Sequence, residues 1–167
     1  MLTVEQLVDF YKLEPHPEGG FYKETYRSKE NIEQAGLPER FRGDRSFSTA
    51  IYFLLPAGHF SAFHRIQSDE LWHFYAGEPL NIYVINEDES LTTIKLGANI
   101  FNGETMQAVV KEGCWFASRP VKDTGYCFVG CTVSPGFDFV DFELAKAEVL
   151  VEIYPAHKDL INSLCRQ

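Results

Sequence analysis

The middle of the chain, from Ser46 to Ser134, is a series of short runs rich in β-branched and aromatic residues. Turn-forming stretches such as "PAG", "NEDES" and "KEG" separate these runs. A succession of about eight strands with such short connections is typical of an antiparallel sandwich or barrel. The predicted strands are "SFSTAIYFLL", "HFSAFHRIQ", "ELWHFY", "LNIYVI", "LTTIKL", "TMQAVV", "CWFAS" and "YCFVGCTVS".

Short helices are predicted at both ends of one domain. The stretch "TVEQ" near the N-terminus is a capping box followed by apolar residues at helical spacing, so residues 1–13 are expected to hold a helix. Residues 143–167 contain two further helical stretches, and 46–134 form the expected core barrel. The charged, aperiodic segment 28–45 is either a lid over a site or a solvated connector. A chain of 167 residues suits a single domain over 1–167.

Composition excludes several classes of partner. The net charge of −9 argues against nucleic acid, whose phosphates require clustered Lys and Arg. The N-terminus lacks the basic start and apolar core of a signal peptide, and no apolar run is long enough to span a membrane. The cysteines, which lack CxxC spacing, suggest buried thiols in a reducing compartment, so we expect a cytoplasmic protein. They are Cys114, Cys127, Cys131 and Cys165.

One motif carries a family resemblance. Gly58, His64, Glu70 and Gly77 fall on the pattern G-x5-H-x-H-x3-E-x6-G without insertion or deletion, and Ile66 stands where the pattern has its second histidine. This stretch resembles the first motif of the cupins, which are small jelly-roll barrels.

Further stretches resemble a narrower group of cupin-like proteins that was long described as a domain of unknown function. These stretches are "HPEGGFYKETYR", "STAIYFLL", "SAFHRIQSDELWHFYAGEPL", "GCWFAS" and "CTVSPGFDFVDFELA". The resemblance implies a mainly β, single-domain cupin jelly-roll barrel with short N- and C-terminal helices, assembled as a homodimer. The biochemical role of that group is poorly defined.

The second cupin motif, P-x-G-x2-H-x3-N, is mostly lost. Aligned on Gly113, it places Lys111, Phe116 and Pro120 where the motif has proline, histidine and asparagine. A catalytic metal site needs at least three protein ligands, and only His64 and Glu70 remain. We therefore predict no cofactor, apart from a weak or adventitious divalent metal on those two residues.

His64 and Glu70 are the predicted catalytic pair. Strand alternation turns both toward the interior, where a carboxylate beside an imidazole fixes its tautomer and favours the imidazolium. Phe60, Trp72 and Phe116 would surround the pair with low dielectric and tune the pKa of a general base. The alternative is a purely structural histidine, hydrogen-bonded to Glu70.

A tyrosine is expected to act as the acid. The metal-free sugar-nucleotide keto-deoxysugar epimerases among the cupins resemble this site in pairing a histidine base with a tyrosine acid, and His64 matches the base position. The candidates, in falling order of preference, are Tyr126, Tyr52 and Tyr22.

The "HPEGG" stretch is expected at the mouth of the barrel, because its glycines permit close backbone approach to a ligand. His16 in this stretch belongs either to a rigid loop or to the rim of the pocket. The residues predicted to bind the ligand are Glu18, Tyr22, Glu24, Tyr52, Phe60, Trp72 and Phe116.

These features lead to a functional hypothesis with named competitors. The chain is expected to bind a small molecule in the barrel and to act as a metal-independent isomerase or epimerase on a sugar or nucleotide-sugar carbonyl. The competitors are a non-catalytic metabolite-binding module, a metal-dependent cupin enzyme with unconventional ligands, and a scaffold with a vestigial pocket.

Overall fold

The computed structural model describes residues 2–166 and consists mainly of two stacked β-sheets with helices at the ends of the chain. The predicted mainly β fold with terminal helices is confirmed. The helices are α1 (Val4–Tyr11), α2 (Ala147–Ile153) and α3 (Lys158–Leu164). The strands are β1 (Glu14–Pro15), β2 (Phe21–Arg27), β3 (Asn31–Ile32), β4 (Arg45–Ser46), β5 (Thr49–Pro56), β6 (Ser61–Arg65), β7 (Asp69–Gly77), β8 (Leu80–Ile85), β9 (Leu91–Leu96), β10 (Gln107–Val110), β11 (Trp115–Pro120), β12 (Tyr126–Ser134) and β13 (Glu143–Leu144).

The two large sheets are built from antiparallel pairs. The first has the strand order β1-β2-β5-β12-β7-β10, and the second has the order β13-β6-β11-β8-β9. Strands β3 and β4 form a separate short ladder. Because β2 pairs with β5 along most of its length, the barrel extends beyond the predicted core of 46–134 to include a strand near the N-terminus.

Strand alternation separates an inner face from an outer face on each sheet. On β12, Cys127, Val129 and Cys131 point into the core between the sheets, whereas Tyr126 and Phe128 point outward. On β11, Phe116 faces the same inner core, whereas its neighbours in sequence belong to an outer cluster. The space between the sheets is therefore apolar except at one end, where the cavity lies.

The helices cover the outer faces. The capping box at Thr3 is present as predicted, with hydrogen bonds in both directions between Thr3 and Gln6. Helix α1 packs Leu7 against Leu54 and the outward residues of β12. Helices α2 and α3 pack against the outer face of the second sheet. Within residues 2–166, no helix has the length and apolar character needed to cross a membrane.

The segment 28–45 is fastened to the barrel at its end. Arg45 donates hydrogen bonds from Nε and Nη2 to the two carboxylate oxygens of Asp141, each at 2.6 Å, and both side chains are buried. Phe41 is also buried, and the Arg45 guanidinium lies over its ring. The segment is thus tied to the short helical turn at Phe139–Asp141, which forms part of the cavity mouth.

Candidate functional site

A cavity of about 240 Å³ opens at one end of the space between the sheets. Its polar floor is formed by Glu18, His64, Glu70 and Cys131. Aromatic rings from the segment that follows β12 surround its mouth. Such a mixture of an apolar wall and a few convergent polar groups is typical of small-molecule sites.

The carboxylate of Glu18 joins two residues of β6 at the floor of the cavity. Glu18 Oε2 lies 3.0 Å from His64 Nε2, and Oε1 accepts a hydrogen bond of 2.9 Å from the Ser61 hydroxyl. The backbone of Glu18 is held as well, because its carbonyl accepts hydrogen bonds from Ala62 N and Arg166 Nε. All of these contacts fix Glu18 in one position.

A β-bulge in β6 makes this arrangement possible. His64 pairs with Phe116 and Ser61 pairs with Ser118, so two steps along β11 face three steps along β6. Regular alternation would put Ser61 and His64 on opposite faces, whereas the bulge turns both toward Glu18. Phe63, which is adjacent to the inward-facing His64, lies in the outer cluster as ordinary alternation requires.

The hydrogen bonds of His64 define its protonation. Nδ1 lies 2.7 Å from the carbonyl oxygen of Ala62, which can only accept, so Nδ1 carries a proton. A single proton therefore lies between Nε2 and Glu18 Oε2. Burial lowers the pKa of His64, and burial raises the pKa of Glu18. Both effects favour the state in which Glu18 donates this proton to a neutral imidazole.

Glu70 is the second carboxylate beside His64, and it is poised to exchange a proton near neutral pH. Burial raises the pKa of Glu70 to about 7; the neighbouring His64 opposes this rise, and the charge of Glu18 adds to it. The adjacent Cys131 remains a thiol, because burial raises its pKa well above the ordinary value. Glu70 is thus the cavity group with a pKa suited to general acid–base work.

His16 forms part of the cavity wall above Glu18. Its Nδ1 accepts a hydrogen bond of 3.3 Å from the backbone N–H of Glu18. Burial lowers the pKa of His16, although the charge of Glu18 opposes this effect. The rings of Tyr22 and Phe142 meet the His16 ring edge to face, at centroid distances of 4.6 and 6.1 Å.

The mouth of the cavity combines aromatic rings with one ion pair. Phe137 and Phe139 are in edge contact at 5.0 Å, and Phe142 completes the cluster. Arg27 donates hydrogen bonds to both carboxylate oxygens of Glu24, at 3.0 and 2.7 Å. The cation at the mouth is therefore already neutralised by a neighbouring acid.

Five of the predicted site residues line the cavity, and five do not. Those that line it are Glu18, Tyr22, Glu24, His64 and Glu70. The carboxylate 3.0 Å from His64 Nε2 is that of Glu18, whereas the hypothesis assigned the partner role to Glu70. Those outside the lining are Tyr52, Phe60, Trp72, Phe116 and Tyr126.

Strand geometry explains the positions outside the lining. Tyr126 and Tyr52 are on the outer faces of β12 and β5, in the cluster covered by α1, so neither approaches His64. The bulge in β6 turns Phe60 into the outer cluster, where the Arg166 guanidinium lies over its ring. Trp72 and Phe116 fill the inner core beneath the floor.

Several cavity residues were missed or left open by the sequence analysis. The sequence places His16 either in a rigid loop or at the rim of the pocket, and in the structure it lines the cavity. Cys131 had no predicted role at the site, because a cysteine on a buried strand is expected to be part of the hydrophobic core. The signal for the region was the "HPEGG" stretch: a side chain at Gly19 would collide with the carbonyl oxygen of Phe60 and the guanidinium of Arg166.

The donor set does not fit the metal centre that the cupin motifs imply. Ile66 lines the cavity at the position of the missing histidine, and the Phe116 ring lies 4.1 Å from the ring of His64. The Nε2 atom of His64 is already engaged by Glu18. Across residues 2–166, no three His, Cys, Asp or Glu side chains are grouped so that they could hold a metal ion.

Comparisons with known proteins agree with this fold. The family model described as "Cupin superfamily (DUF985)" matches residues 5–145. The crystal structure of protein SO0799 from Shewanella oneidensis is 42% identical, with a TM-score of 0.90 and 99% coverage of both chains. The uncharacterized protein YML079W of Saccharomyces cerevisiae is 31% identical over 87% of this chain and 77% of that protein.

A more distant match illustrates the shared fold. Oxalate decarboxylase from Bacillus subtilis is 13% identical, with a TM-score of 0.55 over 90% of this chain and 36% of that one. At this identity the likeness concerns the fold alone. The matched model and the two nearer relatives cover most of the barrel and its cavity, and on this basis the chain belongs to the cupin superfamily, in the family described as DUF985.

Proposed function

We propose that this protein is a metal-independent isomerase or epimerase that moves a proton next to the carbonyl group of a small sugar. One observation carries the proposal: two buried carboxylates, Glu18 and Glu70, flank a buried imidazole at the floor of a cavity. Such a group of coupled titratable side chains in a cavity is a mark of acid–base catalysis.

Glu70 is assigned the role of general base. The Nε2 atom of His64 is engaged by Glu18, which leaves Glu70 as the cavity carboxylate with a pKa of about 7. Its carboxylate takes the proton from the carbon beside the carbonyl, and the C–H electron pair forms the C=C bond of an enolate. The carbonyl π pair moves onto oxygen. Return of the proton from Glu70 to the same face restores the substrate, whereas return after the enolate has turned its other face toward Glu70 inverts the centre.

The His64–Glu18 pair balances charge beside Glu70. When Glu70 is ionised, the proton between Nε2 and Oε2 can shift toward His64, and the imidazolium then stabilises the Glu70 carboxylate. When Glu70 is protonated, the neutral pair is favoured by burial. The position of the proton in the His64–Glu18 pair therefore depends on whether Glu70 is protonated.

Cavity size and charge favour a sugar over a nucleotide sugar. A volume of about 240 Å³ is below the ~300–1,000 Å³ typical of sites for drug-sized ligands. Four carboxylates line the floor and mouth, those of Glu18, Glu24, Glu70 and Asp138, and the guanidinium of Arg27 is paired with Glu24. A diphosphate would meet repulsion here, whereas an uncharged sugar ring could stack against Phe139.

Hydrogen exchange with solvent provides the test. The protein is incubated in D₂O with D-glucose, D-fructose, D-xylulose, L-rhamnose and dihydroxyacetone, and loss of the proton beside the carbonyl is followed by ¹H NMR. We expect catalysed exchange for at least one sugar, and a fall of about 10²–10⁴-fold for Glu70→Gln. Glu143→Gln, an exposed glutamate paired with Arg65, is the matched control and should retain the wild-type rate.

The competing function is a binding module without turnover. The observation in its favour is that Glu18 is already hydrogen-bonded to Ser61 and close to His64, as in a structural network. Saturation-transfer NMR with the same sugars separates the two. Binding without exchange in the wild type would overturn the isomerase and favour the module.

Cellular location and assembly are part of the same proposal. We propose a cytoplasmic homodimer. All four cysteines are free thiols in the structure, which supports a reducing compartment. Light scattering during gel filtration tests the dimer, and a mass equal to the 19.1 kDa of one chain would contradict it.

A further inference from the structure

We propose that His16 is a second catalytic residue, which donates a hydrogen bond from Nε2–H to the substrate oxygen that becomes negatively charged. This inference rests on the proposed function and names the group that would stabilise its enolate. Neither of the two cupin motifs includes His16.

The backbone of Glu18 sets the tautomer of His16. A backbone N–H is always a donor, so the hydrogen bond from Glu18 N requires a lone pair on His16 Nδ1. In the neutral ring the proton must then be on Nε2, at the opposite side of the imidazole. The ring lines the cavity, and burial lowers its pKa, which keeps it neutral at pH 7.

The surroundings of His16 hold the ring in place. Tyr22 from β2 and Phe142 meet the ring edge to face, and Phe139 stacks on it at 6.3 Å. The titratable groups that act on it are Glu18 from the same loop and His64 from β6. Burial, which is the largest effect, lowers the pKa of His16, and so does His64, whereas the charge of Glu18, whose Oε2 lies 3.6 Å from His16 Nδ1, raises it.

The chemistry of the proposed reaction requires such a donor. As Glu70 removes the proton from carbon, negative charge develops on the carbonyl oxygen, which a fixed N–H group stabilises more strongly in the transition state than in the ground state. The proton removed passes to Glu70, which exchanges it with solvent or returns it to carbon. The proton of His16 stays on Nε2, so the step needs no further reactant.

Two substitutions separate this role from a structural one. The amide of glutamine can place an N–H near the position of Nε2, whereas the shorter amide of asparagine can only replace Nδ1. Removal of one donor to an oxyanion costs about 10²–10³-fold in kcat. We therefore expect His16→Asn to lose about 100-fold in kcat with little change in KM, and His16→Gln to lose less than tenfold.

The contrary outcomes are distinct. If His16 only held the Glu18 backbone, His16→Asn would be the more active variant, and the inference would fail while the proposed function stood. Absence of exchange in the wild type would overturn both. Long-range ¹H–¹⁵N NMR of the wild-type ring is an independent readout: the Nε2–H tautomer at pH 7 supports the inference, and either the Nδ1–H tautomer or the imidazolium contradicts it.

Discussion

Glu18 and His64 meet at 3.0 Å through Oε2 and Nε2, across the junction between the loop that precedes β2 and the bulged strand β6. Both side chains are buried, and each is held by a further hydrogen bond, from Ser61 to Glu18 and from His64 to the Ala62 carbonyl. The contact turns two isolated titratable groups into a coupled pair that shares one proton.

Glu70 should make the stability of the protein depend on pH. Its pKa is about 7 in the folded state against 4.5 ordinarily, so the folded protein binds this proton more tightly than the unfolded chain does. The resulting stabilisation is complete below pH 4.5 and is lost as the pH rises through 7. Replacement by glutamine removes this loss.

We therefore compare the free energy of unfolding of Glu70→Gln with that of the wild type. The difference between them should shift by about 3 kcal/mol in favour of Glu70→Gln as the pH rises from 4.5 to 8.5. Urea denaturation at both pH values measures this change. The Glu143→Gln control, at an exposed position, should show no comparable change. A constant difference between Glu70→Gln and the wild type across this range would contradict the raised pKa.

The buried ion pair between Arg45 and Asp141 should be important for stability. Replacing Asp141 by asparagine leaves the guanidinium buried without a counter-charge, which typically costs about 3–5 kcal/mol. The control is again Glu143→Gln, which breaks the exposed pair with Arg65 and should cost less than about 1 kcal/mol. Urea unfolding at pH 7 compares the two, and equal costs would show that the buried pair has no special role.

Two tyrosines should differ in their effect on the exchange reaction. Tyr22 lines the cavity and contacts His16, whereas Tyr126 is on the outer face of β12 under α1. We expect Tyr22→Phe to raise KM about three- to tenfold by removing a polar contact with the sugar, and Tyr126→Phe to change neither kcat nor KM by more than about twofold. Steady-state exchange kinetics decide between them. A large loss of kcat in Tyr126→Phe would restore it as the acid.

A single substitution should introduce affinity for metal. Ile66 occupies the place of the second motif histidine, and it lines the cavity with His64 and Glu70. Ile66→His would supply a third strong donor once the metal displaces the proton between His64 Nε2 and Glu18, and three donors are the usual minimum for a catalytic metal site. We expect at least tenfold tighter Co²⁺ binding than in the wild type, measured by calorimetry. Ile94→His on β9, outside the cavity lining, is the control and should leave Co²⁺ binding unchanged.

Strand spacing and turn residues predicted the sheets and terminal helices well, because alternation and short connections restrict the possible topologies. The same alternation failed at β6, where one extra residue turns Ser61 inward and Phe60 outward. A bulge has no clear signature in the sequence. Regular strand alternation predicted that Phe60 faces the cavity, and this prediction was wrong.

The candidate site was predictable only where residues close in sequence form it. His64 and Glu70 belong to one motif and were predicted together, whereas the contact between Glu18 and His64 depends on how a loop folds over a distant strand. Tyr126 could not be assigned to a face without the register of β12, and the structure shows that it belongs to the outer one. Long-range pairing thus determined which acids meet the imidazole.

The attachment of the cavity mouth at two points has a kinetic consequence. Arg45 holds Asp141, and Arg27 donates a hydrogen bond to the carbonyl of Phe137, so the aromatic segment is pinned at both ends. Movement at the mouth is then confined to side chains such as the half-exposed Phe139 ring, rather than to displacement of a flap. Ring rotation takes picoseconds to nanoseconds, whereas opening of a lid takes microseconds or longer. Entry to this barrel should consequently be limited by diffusion and fit, without a slow gating step.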